Sequence, residues 1–114
     1  MKRSIPWALA LISLAALSAC ARSPAVRTVK AGVAAALADD WDAAVRHWTE
    51  AVRMDPRSAA ARNNLAVAFE KRGDWEAARS EYEAAVRLDP DDLTIRTNYA
   101  SFKARLESAR GKRP

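Results

Sequence analysis

The stretch "GDWEAARSEYEAAVRLDP" (residues 73–90) has an earlier relative in this 114-residue chain, "DDWDAAVRHWTEAVRMDP" (39–56), 34 residues upstream. Between positions 40 and 56, nine of seventeen residues recur at that offset: Asp40, Trp41, Ala43, Ala44, Ala51, Val52, Arg53, Asp55 and Pro56. Self-similarity at a fixed period marks a repeat protein, in which each unit buries its apolar face only by stacking on the next. The period therefore decides the fold.

Each unit predicts two helices. Gly73 can take the positive φ that ends the first, Asp74 is placed to cap the second, and Glu76 sits in its first turn, where the helix dipole favours an acid. Asp89-Pro90 then stops that helix, because proline lacks an N–H and restricts the residue before it. Ala78 and Ala85 lie seven apart on one face and permit close helix approach, while Trp75 and Tyr82 share that spacing and supply bulk. In the first unit Asp39 replaces Gly73, a weaker but tolerable turn residue.

The period of 34 and these residues resemble the tetratricopeptide repeat. With Ala59 as the first position of a repeat, Leu65, Ala66, Phe69, Gly73, Trp75, Ala78, Tyr82, Ala85 and Pro90 fall where that family has their type. Arg62 departs from it, standing at a usual aromatic position. The resemblance implies an all-α, right-handed solenoid over residues 25–109. Repeat 1 covers about 25–58, with a degenerate first helix (Ala31, Gly32, Ala35), and repeat 2 covers 59–92. A further helix, 93–109, carries Ile95, Tyr99, Phe102 and Leu106 at spacings of four, three and four, an inward stripe. Lys103 stands where repeat 2 has Phe69, so its other face is polar and it reads as a capping helix. Residues 110–114 form a basic tail.

The N-terminus sets an expected location. "MKRSIPWALALISLAALSAC" (1–20) has a basic start, an uncharged apolar run and small residues, the layout of an export signal. As a helix, Ile5 to Leu17 would reach only about 20 Å, against roughly 30 Å of bilayer hydrocarbon. Leu17-Ser18-Ala19-Cys20 resembles a bacterial lipobox. The resemblance implies cleavage after residue 19, acylation of Cys20, the only cysteine, and a short linker over 20–25. Two or more acyl chains anchor stably where one does not. Ala21, rather than aspartate, after the cysteine resembles delivery to the outer membrane of a Gram-negative cell. Lys2 and Arg3 leave with the signal, lowering the net charge from +5 to +3. An exported protein of that charge meets little nucleic acid. Arg22, Arg27 and Lys30, near the anchor, are expected to be solvated surface, with contact to anionic lipid or polymer as the alternative.

The chain carries one histidine, one cysteine, no phosphate-binding glycine loop, no HExxH and no GxSxG, so no catalytic or cofactor motif is present. His47 corresponds to Glu81 and is expected to face solvent. The acidic pairs Asp39-Asp40 and Asp91-Asp92 lie at helix starts, where capping explains them better than metal binding. Trp41, Trp48 and Trp75 take repeat-packing positions.

What remains is a groove. In the family that the repeats resemble, the first helices line a concave face. The positions implied here are Lys30, Asn64 and Asn98 in one column, Val29, Asn63 and Thr97 in another, with Val67 and Lys71 beyond. Asparagine offers a donor and an acceptor to a peptide backbone, and the lysines could receive a carboxylate. Neither Asn64 nor Asn98 is needed for helix packing in this register. A chaperone-binding subset of the family holds a C-terminal carboxylate with a five-residue clamp. Asn64 matches it, but Val29 and Val33 replace two of its polar residues. The expected function is thus a lipid-anchored adaptor for another envelope protein or peptide segment. Self-association is the alternative, because fewer than three full repeats bury little core.

Overall fold

The computed structural model describes residues 23–112. Residues 1–22, and with them the signal, Cys20 and Arg22, lie outside the described residues, as do the last two of the chain. Five helices follow: α1 (Pro24–Leu37), α2 (Trp41–Met54), α3 (Ala59–Arg72), α4 (Trp75–Leu88) and α5 (Leu93–Gly111). Each packs on the next, and α5 rests on both α4 and α3. Two hairpins and a single helix result, the all-α repeat architecture that the period implies. The last helix runs to Gly111, two residues past its predicted end. Among the described residues no helix is long and apolar enough to cross a membrane.

The turns repeat as the sequence does. Gly73 has φ 81° and Asp39, its counterpart, φ 59°. Around Gly73 the N–H groups of Gly73 and Asp74 reach the carbonyls of Glu70 and Phe69 at 3.0 and 2.9 Å. Around Asp39 those of Asp39 and Asp40 reach Ala36 and Ala35 at 3.0 and 2.9 Å. Both close the preceding helix with a Schellman pattern, which needs a left-handed residue. Aspartate is among the few non-glycine residues that accept it. Asp55 and Asp89, each before a proline, leave helical geometry at φ −137° and −142°.

Four helices carry a side-chain N-cap: Ser23 accepts from Val26 N, Asp40 from Ala43 N, Ser58 from Ala61 N and Asp92 from Ile95 N. The pairs at 39–40 and 91–92 thus supply caps at Asp40 and Asp92, and Asp39 accepts from Trp41 Nε1 at 2.6 Å. Asp74 departs from expectation. It stands at the N-cap of α4 but makes no capping bond. Its carboxylate pairs instead with Arg72 at 3.2 Å, and that guanidinium also meets Asp42 of α2 at 3.3 Å. The cation, lying between two carboxylates, outcompetes the backbone amide.

The core has two clusters. One joins Ala44, Val45 and Trp48 of α2 to Leu65 and Ala68 of α3. The other joins Ala66 of α3, Ala78 and Tyr82 of α4, and Phe102 and Leu106 of α5. Phe69 packs against both. Phe102 is fully buried between α3 and α4 with its ring centroid 5.1 Å from that of Tyr82. Burial of such a side chain contributes about 1.5–3 kcal/mol. Trp48 is buried, whereas Trp41 and Trp75 are half-buried at the cluster margins, and His47 faces solvent. Arg62 replaces aromatic packing with polar ties: its Nη1 pairs with Glu81 of α4 at 3.0 Å, and its Nε donates to the Pro56 carbonyl at 3.0 Å.

Candidate functional site

Lys71 and Arg105 stand 34 residues apart, one in the last turns of α3 and one on α5, and both border the same open cleft. Val67, Glu70 and Asn98 line it with them, and Tyr82 of α4 forms its floor, around a space of about 400 Å³. The spacing explains the convergence: residues at equal positions of successive first helices share one face of the stack.

Glu70 holds the cleft together. Its Oε2 accepts from the Tyr82 hydroxyl at 2.9 Å, and its Oε1 accepts from Arg105 Nε. Only 10% of its side chain remains exposed, so these two partners replace water around the carboxylate. Burial, and then the charge and hydrogen bond of Glu70, push the Tyr82 phenol well above the ordinary tyrosine range. At neutral pH Tyr82 is a donor with a fixed partner. The cleft therefore holds two cations against one carboxylate. Lys71 is exposed, with Nζ 5.7 Å from the centroid of the Trp41 ring. Such a contact contributes about 0.5–1 kcal/mol at an exposed site, little enough that a better anion can draw the ammonium away.

The asparagines divide. Asn63, expected on the groove surface, is buried, and its Oδ1 accepts from Asn98 Nδ2 at 3.2 Å. The reason is local: α5 closes over α3 here, and a buried amide must find a partner. Asn98, expected to be dispensable for packing, is thus one half of an α3–α5 tie, though its face still borders the cleft. Asn64 is half-buried and lies outside that lining.

The remaining residues fall elsewhere. Lys30 is exposed at a second, more apolar cleft, where Val26 and Val29 of α1 face Ala60 and Ala61 of α3. Thr97 is exposed at the far edge, beside Val86 and Lys103. Of the eight groove residues read from sequence, Val67, Lys71 and Asn98 come together. The sequence reading missed Glu70, Tyr82 as a hydrogen-bond donor, and Arg105. The position of Arg105 one period after Lys71 was the available signal for it. At the far edge, burial and then the Glu83 carboxylate raise the Tyr99 phenol, whose hydroxyl donates to Glu83 at 3.2 Å.

A family model described as tetratricopeptide repeat matches residues 29–92, more than half of the chain. Among solved structures the chain is similar to the C-terminal TPR-containing domain of an FK506-binding protein from Plasmodium falciparum. The two share 25% identity at a TM-score of 0.71, over 77% of this chain and 58% of that one. No curated protein sequence matches.

Proposed function

The chain belongs to the tetratricopeptide repeat family, and from that premise we propose that it is a non-enzymatic lipoprotein, anchored through Cys20, that holds another protein of the bacterial envelope. Domains of this family bind protein partners and are generally not catalysts. The observation that carries the reading is the Val67, Lys71, Asn98 and Arg105 cleft, whose excess of cations suits an acidic peptide segment. The lipobox-like Leu17-Ser18-Ala19-Cys20 behind a basic, apolar leader supports the anchor, and Ala21 supports the periplasmic face of the outer membrane.

Photo-crosslinking from position 67 in native membranes tests the reading. An envelope protein should be recovered, and Lys71→Glu should reduce its affinity for the purified chain. Recovery of nothing above background, or equal affinity of the variant, counts against the groove. A fatty-acid analogue should label the wild type but not Cys20→Ala; an unlabelled wild type removes the anchor.

Self-association is a second reading, favoured by the exposed apolar side chains on α1, Val33 and Leu37 at 41% and 85%. It requires a melting temperature that rises with protein concentration in the absence of any partner.

A further inference from the structure

The first helices of the repeats present one small residue as a seat for a large one on the second helix. In repeat 2 the seat is Ala66, clustered with Tyr82, and the neighbouring Glu81 pairs with Arg62. In repeat 1 it is Gly32, against Trp48. One period further, on α5, the matching residues are Ala100 and Arg96. Both are exposed, and no ion pair engages Arg96 among the described residues. With Val86, Leu93, Tyr99 and Lys103 they line an open cleft of about 510 Å³ at the edge of α4 and α5. Leu93 is 74% exposed there, and Lys103 lays its Nζ 4.5 Å from the centroid of the Tyr99 ring.

We propose that this edge docks an amphipathic helix of another protein, bearing an acidic residue directly followed by an aromatic one, as the second helix of a third hairpin. Two observations select that chemistry. The chain's own α4 meets the same residue types, arginine and a small seat, with consecutive Glu81 and Tyr82. Arg96 and Lys103 also flank Ala100 one turn to either side, so their charge favours an acidic helix and repels a basic one. A second copy of this chain is the poorer occupant, since its Glu81-Tyr82 pair is already engaged on its own α3. The lysine at position 103 makes the edge polar enough to stand in water alone, yet complementary to that charge. This edge is separate from the groove, and its reading does not rest on it.

The test uses the full-length chain in detergent and, as probe, a labelled peptide of the α4 sequence, residues 74–90. The peptide is stapled between positions 76 and 80, which face solvent in α4, because a free helix of this length is marginal in water. Binding to the wild type is expected. It should be lost in Ala100→Trp, which fills the seat, and weakened about tenfold in Arg96→Glu, the scale of one charged hydrogen bond. A Glu81→Arg peptide should restore binding to Arg96→Glu, while Lys71→Glu, in the groove, should bind the original peptide as the wild type does. Absence of binding by the wild type, binding unaffected by Ala100→Trp, or failure of the charge swap each overturns the proposal. So does a homodimer of the wild type that Ala100→Trp dissolves, because the occupant would then be a second copy. Should Ala100→Trp lower the melting temperature, the charge swap decides alone.

Discussion

A methyl group on Gly32 would lie 2.3 Å from Nε1 of Trp48. That indole N–H donates to the Val29 carbonyl of α1 at 3.1 Å, so the ring is held against the helix and has little room to retreat. At the same place in repeat 2, Ala66 meets Tyr82. The two repeats thus fill one interhelical space with opposite size choices: the larger ring faces the residue without a side chain.

Gly32→Ala is therefore expected to destabilise the protein. Overpacking costs about 1–3 kcal/mol, and the better helix propensity of alanine returns only about 1 kcal/mol. In that background Trp48→Tyr should recover stability, although alone it loses packing and the Val29 hydrogen bond. Urea unfolding of the four proteins gives the coupling. Additive effects would refute the size trade.

Gly73→Ala should also destabilise, by about 1–2 kcal/mol, for another reason. Nothing lies within 4 Å of a Cβ built there, but φ is 81°. The cost is backbone strain, so Gly73→Asn should lose less than Gly73→Ala, as Asp39 at the equivalent turn suggests. Chemical denaturation ranks the two, and an equal loss would point to packing instead.

Asn98→Ala and Asn64→Ala should behave differently. The first leaves the buried Asn63 Oδ1 without its donor, a loss of about 1–3 kcal/mol. The second should stay within about half a kcal/mol, as substitutions away from such ties do. Thermal melts decide it; equal melting temperatures would mean that the Asn63–Asn98 bond contributes nothing.

Alkaline pH should loosen the fold through Tyr82. Its phenol is raised in the folded state by burial and by Glu70, while in the unfolded chain it titrates near the usual value of about 10. The contribution is therefore complete below pH of about 10 and is lost as pH rises from there toward the folded-state pKa. Stability measured by urea between pH 8 and 11 should fall more steeply for the wild type than for Tyr82→Phe. Parallel curves would exclude the phenol as the cause.

The hairpins were legible because the signals that build them are local. Asp39, Gly73, Pro56 and Pro90 fix where helices stop, and the alanines and aromatics fix which faces meet. The cleft was less so. One period to either side of Glu70 stand Ala36 and Ala104, and nothing in a one-dimensional pattern says that its carboxylate turns toward Tyr82, twelve residues on, and Arg105, thirty-five on. Asn63 looked like groove surface because periodicity assigns a direction to each side chain and cannot foresee that α5 lies over this one. Asp74 failed as a cap for a similar reason: Arg72, two residues before it, competes for the carboxylate with a charge.

Phe69, half-buried, is shared by both apolar clusters. Neither repeat can open without stripping cover from one flank of the same ring. Unfolding should therefore pass through the two hairpins together, as a single cooperative event rather than link by link. A ligand that grips α3 from the cleft would then steady repeat 1 as well, with no contact to it.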